Sequence, residues 1–180
     1  MSKPTLGLII NPIAGMGGRV GLKGTDGADI LAKAIKLGAK PQAEERTQTA
    51  LKKLFPLRNK IKIFTCPEPM GEKSVIKAGL SPEIISLKFP LSTTAEDTLK
   101  AAELMCDLKV NLLLFAGGDG TARDICDAVG ESIPVLGIPA GVKIHSSVFA
   151  RSPESGGELA SNYLQGKARY APVPAAPLQQ

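Results

Sequence analysis

Tryptophan is absent from this 180-residue chain, histidine occurs once, and cysteine three times, beside five Phe and two Tyr. Each scarcity excludes something. One His and three separated Cys do not supply the four Cys or His ligands that structural zinc usually takes, so no metal site of that kind is expected. Cys66, Cys106 and Cys126 form no C-x-x-C pair and are odd in number, which argues against a disulfide framework and for reduced thiols in the core. The net charge of +5, from 22 basic and 17 acidic residues, suits anionic ligands but is spread along the chain. Without a basic stripe interleaved with aromatics, no nucleic-acid partner is expected. No apolar run approaches the roughly 18 to 20 residues that cross a bilayer, and a single Lys precedes the short apolar run at the N-terminus. No membrane partner and no signal peptide are expected, and the cytoplasm is the expected location.

What the chain does have is a βα period from end to end. Thr5 to Asn11 (TLGLIIN) is a continuous apolar run, as expected of a strand buried on both faces, and it stops at Pro12. Lys60 to Cys66, Glu83 to Lys88, Asn111 to Ala116 and Ile133 to Ile138 are the other candidate strands. Helical patterns lie between and after them, at Ala28 to Ala39, Ala43 to Phe55, Gly71 to Ala78, Thr94 to Leu108, Ala122 to Val129 and Pro153 to Gln165. The Thr94 to Leu108 pattern is the clearest, with Leu99, Ala102, Met105 and Leu108 on one face and Thr93 spaced from Glu96 as a capping box. Five such units predict an α/β fold, an open, doubly wound parallel sheet with ligands at the carboxyl ends of its strands. Residues 1–167 are read as one nucleotide-binding domain. Residues 168–180, with Pro172, Pro174 and Pro177, are read as an extended or disordered tail.

The loops after the first, fourth and fifth strands carry the chemistry. After the fourth comes Gly117-Gly118-Asp119-Gly120-Thr121, where glycines on a strand-to-helix turn let the backbone approach phosphate oxygens at a helix N-terminus. Asp119 within it is placed to accept a hydroxyl proton, to help hold magnesium, or simply to cap the helix. The first loop, with Asn11, Gly15, Gly17 and Gly18, matches neither the dinucleotide fingerprint nor the P-loop pattern, and reads as backbone able to close over an anion. The fifth offers Gly141, Lys143, the single His145, Ser146 and Ser147. It lacks the G-x-S-x-G elbow of a hydrolase.

Taken together, LGLIINPIAGMGGRVGLKGTDG, LLLFAGGDGTARDICDAV and PVLGIPAGVKIHSSVFA resemble the kinases that share a G-G-D-G-T signature. These include ATP-dependent NAD kinases and the diacylglycerol and sphingosine kinases, and the resemblance spans about residues 5 to 165. It is nearest to the ATP-NAD kinase-like branch that includes the acetoin-catabolism protein X. The lipid-kinase strings N-P-x-S-G, G-G-D-G-T-x-x-E and I-P-x-G-T-x-N-D-F-A are not reproduced in full, since Ala14 replaces the Ser, Asp124 stands where the Glu would be, and 142–148 depart from G-T-x-N-D.

The resemblance implies transfer of a phosphoryl group from ATP, or another phosphate donor, to a hydroxyl of a small-molecule acceptor, such as the ribose 2′-hydroxyl of NAD. It implies Asp119 as the catalytic carboxylate, nucleotide-bound Mg2+ as cofactor, and Gly117, Gly118, Gly120 and Thr121 at the phosphates. Asn11 and the loop of Gly15, Gly17 and Gly18 would share that cleft. Gly141, Lys143 and His145 join the candidate ligand-binding set from their place in the fifth loop. The second, β-rich domain of NAD kinases and its Asn-Glu pair have no counterpart in these runs. The expectation is therefore the N-terminal part of such an enzyme, exposing apolar surface and forming a homo-oligomer. The alternatives are a non-catalytic nucleotide-binding or regulatory module, and a lipid or sphingoid kinase.

Overall fold

The structure, a computed structural model, describes residues 2–16, 36–88, 93–141 and 144–169. Gly17, Gly18, Lys143, residues 28–35 of the helix expected over 28–39 and residues 170–180 of the expected tail lie outside the described residues. Five strands, β1 (Thr5–Ile10), β2 (Lys62–Thr65), β3 (Pro82–Ile84), β4 (Leu112–Gly117) and β5 (Val135–Pro139), make one sheet in the order β3-β2-β1-β4-β5. Every pairing is parallel, with Leu6 opposite Ile63 on one side of β1 and Leu112 on the other. The expected open α/β sheet is what the chain forms. β3 is shorter than the run Glu83 to Lys88 because its partner β2 ends at Thr65, opposite Ile84.

The apolar strands are buried on both faces, and alternate residues serve different cores. Leu6, Leu8, Ile10, Leu112, Leu114 and Ala116 face α1 (Ala43–Lys52), α2 (Glu72–Lys77) and, after β5, α5 (Pro153–Leu164). Ile9, Leu113 and Phe115 face α3 (Ala95–Asp107) and α4 (Asp119–Val129), where Met105, Ile125 and Val129 complete the second core. This is why the strands read as unbroken hydrophobic runs. Among the described residues no helix is long and apolar enough to cross a membrane.

Three details differ from the sequence reading. The capping box of α3 is one residue later than Thr93 and Glu96: Thr94 is extended, and both its N–H and its hydroxyl donate to the Asp97 carboxylate, at 2.8 and 3.0 Å. Its buried face is Thr98, Ala101, Ala102 and Met105, with the Met105 Sδ against Gly7, while Leu99 is half-buried and Leu108 stands 42% exposed. Of the three thiols only Cys66 is in the core, since Cys126 lies on the outer side of α4 and is exposed.

α5 approaches α1 so closely that a Cβ on Gly157 would overlap the Ala50 carbonyl oxygen. Backbone on backbone leaves no flexible atom to yield. Gly157→Ala is expected to cost about 1–3 kcal/mol, read as a lowered denaturant midpoint; an unchanged midpoint would contradict this close packing. Burial pushes the Cys66 thiol up to about 12, so at pH 8 it stays protonated. Thiol titration at that pH should label Cys126 first and reach Cys66 only on unfolding.

Candidate functional site

Strand order reverses between β1 and β4, so the chain leaves them toward opposite faces of the sheet and opens a crevice at their carboxyl ends. Asn11 is the first residue beyond β1 and bridges that crevice. Its main-chain N–H donates to the Ala116 carbonyl at 2.9 Å, and its side-chain Nδ2 donates to the Thr121 Oγ1 at 3.0 Å. Its Oδ1 accepts the Ile13 N–H at 3.2 Å, which turns the loop back at once.

Gly117 ends β4 and is buried, and any Cβ there would overlap the Thr121 side chain. Its carbonyl accepts the N–H of Ala140, at 3.0 Å, from just beyond β5. Gly118 is the N-cap of α4 and supplies no side chain to its first turn, and no atom of the described residues lies within 4 Å of where its own Cβ would stand. Gly120 and Thr121 lie in that first turn. The first loop reaches the fifth through Gly15, whose φ of +85° favours glycine and whose missing Cβ makes room for the Ala140 carbonyl oxygen. The described parts of the three loops therefore meet along one edge of the sheet.

Asp119 does not cap its own helix. It is the first residue of α4, and its carboxylate reaches across to the loop after β5, accepting the His145 N–H at 3.0 Å and the Ser146 N–H at 3.1 Å. His145 thus joins the site through its main chain, and its side chain is exposed. Gly141 is half-buried beside a separate cleft of about 690 Å³ between the N-terminal ends of α1 and α5. That cleft brings in Arg46 and Arg151, which the sequence reading missed. No local motif marks Arg46: its Nη1 donates to the Pro139 carbonyl at 2.9 Å, from 93 residues away. Among the described residues no group of three or more His, Cys, Asp or Glu could hold a metal ion.

The ATP-NAD kinase N-terminal domain family matches residues 6–168, and the chain belongs to that family. It is similar to the acetoin catabolism protein X of Cupriavidus necator, at 26% identity over 149 residues, 77% of this chain and 38% of that protein. The chain thus spans well under half the length of that relative. Solved structures with a likeness include a UDP-GlcNAc 2-epimerase from Neisseria meningitidis bound to UDP-GlcNAc, with TM-score 0.41, 13% identity and coverage of 89% of this chain and 38% of that one. A UDP-N-acetylglucosamine 2-epimerase gives TM-score 0.42 at 12% identity, over 91% of this chain and 40% of that one.

Removing the Asp119 carboxylate should release the loop it holds. In Asp119→Ala, the His145 and Ser146 amides are expected to exchange with solvent at least roughly tenfold faster, with the β1 and β4 amides unchanged. Unchanged exchange at both positions would show that other contacts hold the loop.

Proposed function

We propose that this chain is the nucleotide-binding part of a phosphotransferase, which binds the phosphates of Mg2+-ATP at the start of α4 and transfers the terminal phosphoryl group to a hydroxyl. The observation that carries the reading is the N-terminus of α4, which no side chain of the described residues caps, placed at the strand-order reversal beside a space over Gly118 that no described residue fills. First-turn N–H groups and the positive end of the helix dipole favour phosphate there. Membership of the ATP-NAD kinase family supports ATP as donor and NAD as one acceptor to test.

The residues divide the work. Asn11 and Thr121 hold each other across the crevice and set the floor of the site. Gly118 and Gly120 leave the backbone accessible to phosphate oxygens. Mg2+ suits a site with one nearby carboxylate, since it keeps several waters and binds mainly through phosphate oxygens, with Asp119 as the protein ligand within reach. That ion neutralises phosphate charge when bound. Asp119 accepts the proton of the acceptor hydroxyl as its oxygen attacks the terminal phosphorus, the bond to the β–γ bridging oxygen breaks, and ADP leaves with that electron pair.

A second reading has its own observation. The Asp119 carboxylate already accepts two main-chain N–H groups, as it would if its work were to order the fifth loop of a non-catalytic binding module. Asp119→Asn separates the two. As catalyst, Asp119 is expected to lose on the order of 10²- to 10⁴-fold in phosphoryl transfer on substitution, with ATP affinity and melting temperature nearly retained. Equal turnover would remove the catalytic role, and ATP binding without turnover in either form would favour the module.

A further inference from the structure

We infer that the cleft between the N-terminal ends of α1 and α5 is the acceptor site and takes a hydroxyl-rich small molecule, of sugar or polyol type, rather than a lipid. This rests on the phosphotransferase reading above. At about 690 Å³ the cleft falls within the size range of small-molecule sites. Its walls carry charges of both signs, Arg46 and Arg151 against Glu45 and Glu154. Arg46 is held in place, with Nη1 on the Pro139 carbonyl and Nη2 on Gln42. Glu154 is held below its ordinary carboxyl value, first by its own backbone N–H and next by the Ser152 hydroxyl, so it stays ionised and accepting.

A hydroxyl both donates and accepts, so neighbouring hydroxyls can satisfy a guanidinium and a carboxylate together. Other ligands match less of the wall. A simple anion would meet Glu45 and Glu154, a simple cation would meet both arginines, and an acyl chain would lie against four charged side chains. Phe149, half-buried and edge-on to Phe115 at 5.2 Å between ring centroids, supplies one apolar surface for the C–H face of a sugar.

Position connects the cleft to the chemistry. Ser146 lines it and also donates its N–H to Asp119 at 3.1 Å, so the two meet at one residue. An acceptor seated there would extend a hydroxyl past Ser146 toward the carboxylate and the phosphates at the start of α4. In the transfer the hydroxyl oxygen gains the terminal phosphorus, its proton goes to Asp119, and ADP departs with the electrons of the broken P–O bond.

The test is amide NMR on the full chain, with D-ribose and glycerol as polyol probes, dioctanoylglycerol in micelles as the lipid probe, and Mg2+-ATP titrated separately. Either polyol is expected to shift Thr49, Ser146 and Ser152 in a saturable way, and Arg151→Gln to weaken that binding roughly tenfold while leaving distant resonances in place. No saturable shift up to about 100 mM for either polyol would overturn the inference. So would equal affinity in Arg151→Gln, the lipid probe binding there instead, or Mg2+-ATP itself occupying the cleft. Polyol binding in the cleft with no Mg2+-ATP response at Gly118 and Gly120 would sustain the ligand class of the cleft and sink the phosphotransferase reading alone.

Discussion

Asn11 holds together two chain segments that the topology drives apart. At the reversal of strand order β1 and β4 lie side by side, yet the segments leaving them turn to opposite faces of the sheet. One residue spans the gap with its main chain on Ala116 and its side chain on Thr121. A shorter polar side chain could not reach from the end of β1 to the first turn of α4, and an apolar one would leave the buried Thr121 hydroxyl without its donor. The placement of the glycine turn, and through it of Asp119, depends on that bridge.

Around this bridge the loops are tied in sequence rather than merely gathered. Gly117 passes a carbonyl to Ala140, Gly15 admits the Ala140 carbonyl oxygen, and Asp119 holds His145 and Ser146. Arg46 fixes the end of β5 from the opposite face. The described part of the fifth loop is therefore tied to the start of α4 through Asp119 and borders the polar cleft beside α1 and α5 at Ser146. A transfer between two bound molecules needs two adjoining places of different chemistry. A turn of bare backbone suits phosphate oxygens, and a wall with charges of both signs suits hydroxyls.

The close contact of α1 and α5 supports this arrangement from below. Gly157 permits backbone contact with Ala50, and an exposed ion pair between Lys53 and Glu158, at 2.7 Å, lies along the same seam. Exposed pairs of this kind contribute little. The seam is held by burial, and it brings Arg46 near the residues that open α5, without which the cleft would have one wall.

The sequence by itself determined the five strands, the order of helices between them and the candidate edge of the sheet, because those depend on periodicity and on glycine and proline among near neighbours. It also determined that Asn11 and the Gly117 to Thr121 turn lie at strand ends. It pointed to Thr93 with Glu96 as the capping box, but Thr94 with Asp97 has the same spacing, and the chain takes Thr94 because the backbone is extended there as it enters α3. It could not tell the His145 imidazole from its N–H, or find Arg46. Only the tertiary structure decided these, because Asp119 meets Ser146 across 27 residues and Arg46 meets Pro139 across 93. Contacts at such separations follow from which strands become neighbours and how closely the helices pack on them, and no local pattern carries that distance.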